Sequence, residues 1–79
     1  MTLDKIDSDK TYLISEIHDN GFSDQNQILR LKYLGFIKGK KIKLLKVAPL
    51  SKDPLLFHVN GSLIALTKKE AELIKVTET

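Results

Sequence analysis

The sequence predicts a mainly β fold with a short helix, a small barrel of about five strands. Three observations lead there. Short runs of aliphatic and β-branched residues, partly alternating with polar ones, recur at 12–17, 40–47, 55–60, 63–66 and 74–76, each bounded by turn signals. A single longer stretch, near 24–34, repeats apolar residues with helical spacing. At 79 residues the chain can bury only about 60% of the surface its unfolded form exposes, so the core must be thin. Short strands separated by turns fill such a core by curling into a small barrel.

Leu3 and Ile6 have the spacing of a short apolar turn. Tyr12 to Ile17 forms a first strand in which neither face is cleanly polar, so it bends or is covered on both sides. His18-Asp19-Asn20-Gly21 is a turn cluster. A helix of about 11 residues follows, with Ser23 or Asp24 as N-cap and Asp24 with Gln27 as a capping-box pair. Ile28, Leu31 and Leu34 make its apolar stripe, Leu29 and Tyr33 lie beside it so that the helix can be covered broadly, and Gly35 is the left-handed C′ residue. In the next strand Ile42 and Leu44 face one way and Lys41 and Lys43 the other, and the alternation slips at Leu44-Leu45 as a bulge would make it. A loop from Ala48 to Pro54 leads into Leu55, Phe57 and Val59, which alternate with Leu56, His58 and Asn60. Asn60-Gly61 is a type I′ hairpin signal, and Leu63 to Leu66 returns as the partner strand. Thr67-Lys68-Lys69-Glu70 reads as a capping box opening one helical turn near Leu73, before a last strand at Ile74 to Val76.

Composition excludes several classes. Without cysteine there is no disulfide, thiolate metal site or cysteine nucleophile. No apolar run approaches the roughly 20 residues of a membrane span, and the first ten residues are acidic, unlike a secretory signal. The net charge of +3 conceals a partition. Residues 1–27 hold two lysines against six acids; residues 28–52 hold Arg30 and seven lysines with no acid; residues 53–79 hold three lysines against four acids. The basic middle is either a solvated strand that protects a sheet edge or a docking surface for something acidic.

Catalytic chemistry finds little support. His18 and His58 lack metal-ligand spacing, Asp7 and Asp9 lack the oxygen set of a calcium loop, and Gly35 and Gly39 do not form a phosphate loop. Ser15, Ser51 and Ser62 have no activating motif. The expectation is a non-enzymatic chain without a cofactor or metal, His18 and His58 included. The rival reading is an oligonucleotide-binding barrel that uses Lys38, Lys40, Lys41, Lys43 and Lys46, with Tyr12 or Tyr33 as stacking platform.

The segment Arg30-Leu31-Lys32-Tyr33-Leu34-Gly35-Phe36-Ile37-Lys38-Gly39 resembles the "RL-x-x-LG-hydrophobic-x-x-G" signature of the ferrous iron transport protein A (FeoA) family. Ala48 to Leu55 is similar to its "APLGDPL" loop, Val59 to Leu66 to its "V-x-G-x-x-hydrophobic-A-L" segment, and Lys69 to Val76 to its "EA-x-x-I-x-V" ending. The four motifs stand in order over residues 3–76. Ser51-Lys52-Asp53 replaces the family's common Gly-Asp with one residue more, Asp9 stands where relatives often have glycine, and Lys38 where proline is frequent.

The resemblance implies an SH3-like barrel over residues 1–79, a single domain that is cytoplasmic and non-enzymatic. Its implied partner is the cytosolic part of the FeoB-type ferrous iron transporter, a membrane protein with a GTP-binding domain. No nucleic-acid partner and no direct membrane insertion are expected, and pairing with a second copy through a free sheet edge stays open. The same barrel resembles the C-terminal domain of metal-dependent repressors of the diphtheria-toxin-repressor type, but no room for a helix-turn-helix is seen. Candidate docking residues are Leu34, Gly35, Lys38, Lys41, Lys43, Pro49, Leu50 and Pro54, with Gly39, Asn60 and Gly61 as fold-defining turns. Pro49 and Pro54 stiffen the loop and so lower the entropy cost of docking.

Overall fold

The computed structural model describes residues 1–18, 25–47 and 53–79. A 3₁₀ turn, Leu3–Lys5, precedes strand β1 (Thr11–Ile17), helix α1 (Gln25–Tyr33), β2 (Lys41–Val47), β3 (Leu55–Val59), β4 (Ser62–Leu66), the single-turn helix α2 (Lys68–Ala71) and β5 (Ile74–Glu78). The strands form one antiparallel sheet in the order β4-β3-β2-β1-β5. Leu66 of β4 and Ile74 and Val76 of β5, at opposite ends of that order, belong to one core cluster with Tyr12, Ile14, Ile42, Leu44, Phe57 and Val59. The sheet therefore curls on itself into a small barrel. Two register shifts supply the bend, between Leu44 and Lys46 where the alternation slips, and between Ile14 and Glu16. The second bulge breaks the alternation of β1, so that Tyr12 and Ile14 are buried and Glu16 is exposed.

Local chemistry explains the turns. Asn60 (φ 50°) and Gly61 (φ 79°) both take the positive φ that a type I′ hairpin demands, and Val59 pairs with Ser62 across them. The Thr67 hydroxyl accepts from the Glu70 amide at 3.2 Å while the Glu70 carboxylate accepts from the Thr67 amide at 2.9 Å, a complete capping box. Asp53, just before β3, accepts from the Lys68 amide at 2.9 Å and so occupies another free donor of α2. The strand expected at Ile74 to Val76 runs on to Glu78. Its outer edge is covered, since the Val76 amide donates to the Met1 carbonyl at 2.9 Å and Thr2 bridges Lys75.

Helix α1 ends in a Schellman motif. The Gly35 amide donates to Lys32 and the Phe36 amide to Leu31, and Leu31 and Phe36 are both buried. Gly35 sits at φ +108° against the β3–β4 turn, where a Cβ would come within 2.5 Å of Asn60 Cβ. Gly39 also has a positive φ, +91°, but faces open space. Its amide donates to the Ile14 carbonyl, and the Ile14 amide donates to Lys40, which joins the turn to β1. The proposed caps Ser23 and Asp24, the turn Asp19-Asn20-Gly21 and Phe22 lie outside the described residues.

At the surface, Lys10 Nζ donates to Glu78 Oε1 at 2.9 Å and lies 3.8 Å from Asp7. The hydrogen bond to Glu78, then its charge, raise the Lys10 pKa above the ordinary lysine value. The pair's small contribution is thus in place at neutral pH and is lost as pH rises through that raised pKa.

Two predictions follow from this geometry. Gly35→Ala meets both backbone strain and Asn60, so chemical denaturation should show a loss of roughly 2–4 kcal/mol. Gly39→Ala meets strain alone and should lose about 1 kcal/mol; equal losses would contradict the close approach. Glu78→Gln should return the Lys10 pKa toward the ordinary value in an NMR titration, and an unchanged pKa would show that Glu78 is not its cause.

Candidate functional site

The nine residues of α1 advance about 100° each, which separates its sides sharply. Ile28 and Leu31 enter the core and Leu34 is half-buried. Leu29 and Tyr33 each stand two positions from Leu31, so they project roughly 160° away from it. They are 65% and 91% exposed, which corrects the expectation that the helix is covered broadly. At spacing i,i+4 the two are neighbours on one helix face. Beyond the Schellman turn Ile37 is also exposed, beside a shallow groove of about 240 Å³ lined by Glu16, Ile17, Lys32, Phe36 and Lys38. Three large apolar groups on one helix–turn segment, flanked by basic residues, have the character of a protein-docking surface.

The candidate docking residues do not form one site. Lys38 lines the groove beside Ile37. Leu34 lines a narrow cleft between α1 and β4, with Arg30 and Ile64. Gly35 is buried, so it acts on conformation and not by contact. Lys41 and Lys43 stand on the outer face of β2, in a separate depression of about 270 Å³ with Thr11, Ile42, His58 and Asn60. Pro54 is exposed just before β3, after a cis Asp53–Pro54 bond. Pro49 and Leu50 lie outside the described residues. Leu29 and Tyr33 were missing from that set; their spacing groups them on one helix face away from Leu31, but the exposure of that face comes from the structure.

Ion pairing is uneven. Lys5, Lys10 and Lys75 reach carboxylates, whereas among the described residues no carboxylate lies within ion-pair distance of Lys38, Lys41, Lys43 or Lys46. Groups of three or more potential metal ligands are likewise absent among the described residues. Tyr12 is corrected as a stacking platform: it is 1% exposed, and its hydroxyl accepts from the Asp7 amide at 3.1 Å. Phe36 and Phe57 are core residues.

Residues 1–78 match the family described as the FeoA domain. The chain belongs to the FeoA family. Its fold agrees with the FeoA protein from Chlorobium tepidum at 29% identity and a TM-score of 0.85, over 99% of this chain and 70% of that one. Stenotrophomonas maltophilia FeoA, solved with zinc and described as a prokaryotic SH3 domain protein, agrees at 27% identity and a TM-score of 0.82, over 98% and 89% of the two chains. The curled five-stranded sheet is therefore the SH3-like small barrel that the motifs imply. The fold also agrees with T. acidophilum IdeR at 26% identity and a TM-score of 0.77, with this chain spanning 34% of the length of that one. No curated protein matches the chain significantly.

Because Leu29 and Tyr33 are largely exposed in this FeoA-family barrel, Leu29→Ser with Tyr33→Ser should leave stability within about 1 kcal/mol in denaturant unfolding. A loss above about 3 kcal/mol would mean that the face is already occupied within the chain.

Proposed function

We propose that the chain is a non-enzymatic accessory of ferrous iron transport that works in the cytoplasm by docking on the cytosolic part of a FeoB-type membrane transporter. Family membership supplies the pathway: related structures are described as an iron(II) transport protein and, in the Stenotrophomonas maltophilia case, in terms of activating ferrous iron transport. No described helix is long and apolar enough to cross a membrane; in this reading the transporter carries out the transport step.

The observation that carries the docking mode is the outward face of α1, where Tyr33 is 91% exposed beside Leu29. Tyrosine is among the side chains that most often serve as the few anchors dominating an interface, and Leu29 beside it adds apolar area that a partner would remove from water. Lys38, at the rim of the neighbouring groove, adds steering toward an acidic surface more than raw affinity. The Schellman turn and the seated Gly35 hold the helix end before any partner arrives, which reduces the ordering cost of association. The oligonucleotide reading is weakened by the burial of Tyr12, which removes one of its two stacking platforms.

Calorimetric titration of the full chain into the purified cytosolic region of the transporter tests the proposal. A dissociation constant of tens of micromolar or tighter is expected, weakened at least about tenfold by Leu29→Ser with Tyr33→Ser. No binding by a folded sample, or binding indifferent to both substitutions, would overturn it.

A further inference from the structure

The depression on the outer face of β2 is chemically unlike the docking face. Lys41 and Lys43 stand two residues apart on one strand, so their stems are about 6.6 Å apart and point the same way. Ile42, whose side chain is buried on the opposite face, contributes the floor between them. Thr11 of β1 and His58 of β3 are the direct cross-strand partners of Lys43, which places them on either side of it. Asn60 closes the end beside the hairpin turn. Every polar side chain in this lining can donate a hydrogen bond, and no acid is among them. Neither lysine is neutralised: among the described residues no carboxylate lies within ion-pair distance of either. The depression, about 270 Å³, is larger than one inorganic phosphate requires.

We propose that this depression is a phosphate-recognition site, in which the Lys41 and Lys43 ammonium groups grip a phosphoryl group from two sides while Thr11 and His58 direct hydrogen bonds to its remaining oxygens. A tetrahedral, multiply charged anion suits donors that converge from three strands. A lone carboxylate offers two oxygens in one plane and leaves part of the ring unused. The phosphate comes either from a soluble phosphate compound or from an anionic lipid headgroup, since both present the same group. The site stands independently of the transporter reading, because it shares no residue with the α1 face.

The test titrates inorganic pyrophosphate into the ¹⁵N-labelled full chain at 50 mM salt and follows amide shifts. In parallel, the chain is sedimented with vesicles of phosphatidylcholine alone and with about one-third phosphatidylglycerol. Saturable shifts centred on Thr11, Lys41, Ile42, Lys43 and His58 are expected. Lys41→Gln with Lys43→Gln should weaken the response at least about tenfold, and Thr11→Val, which keeps the charge, roughly three- to tenfold. Lys68→Gln with Lys69→Gln removes the same charge elsewhere and should change it less than about twofold. Sedimentation with the phosphatidylglycerol vesicles alone, lost in the Lys41/Lys43 variant, would assign the phosphate to lipid; pyrophosphate saturation without sedimentation would assign it to a soluble compound. Shifts spread over all lysines, equal losses in the two double variants, or no response from either probe would overturn the site.

Discussion

The close approach of Gly35 to the β3–β4 turn is the constraint on which the rest of the barrel depends. The left-handed Gly35 ends α1, and Asn60, itself at positive φ, occupies the space that any side chain on Gly35 would need. One contact therefore fixes three things. It stops the helix so that Phe36 drops into the core beside Leu31, and it sets the rotation of α1 against the sheet. It also delivers the chain to the Ile37–Lys40 turn, from which Gly39 and Lys40 bond to Ile14 and start the β1–β2 ladder. Because Ile28 and Leu31 then face inward, Leu29 and Tyr33 stand on the opposite side of the helix, largely exposed.

This arrangement gives the basic middle of the chain a structural meaning. Its charges do not form one patch. Arg30 and Lys32 ride on α1, Lys38 and Lys40 flank the turn, and Lys41, Lys43 and Lys46 stand on β2. Among the described residues of the acidic N-terminal segment, Asp4 and Asp7 pair with Lys5 and Lys10, and Glu16 with Lys75, rather than with the β2 lysines. An apolar helix face with a basic rim and a separate ring of donors on the sheet thus coexist on a barrel too small to bury everything its sequence makes apolar.

How much of this was legible in the sequence follows the range of each signal. The Asn60-Gly61 turn, the Thr67–Glu70 capping box, Gly35 as the helix stop and the bulge at Leu44-Leu45 are written in a few adjacent residues, and each appears as read. The family motifs carried the barrel itself. Features set by distant parts of the chain were not legible. Nothing near Gly35 announces Asn60, 25 positions away. Helical spacing shows which residues of α1 share a face but not which faces have a neighbour, so Leu29 and Tyr33 looked coverable. Tyr12 looked available until the Asp7 amide and the curled sheet enclosed it. The candidate docking residues suffered in the same way: chain proximity grouped Lys38 with Lys41 and Lys43, whereas the turn at Gly39 sends them to different grooves.

The central claim is that the apolar face of α1 is where this FeoA-family barrel meets its transporter. Hydrogen exchange of the full chain, alone and with the transporter's cytosolic region, reads that face directly. The account predicts added protection concentrated in residues 25–38, with β2 and β3 amides unchanged. Protection confined to the outer face of β2, or spread evenly over the barrel, would contradict it.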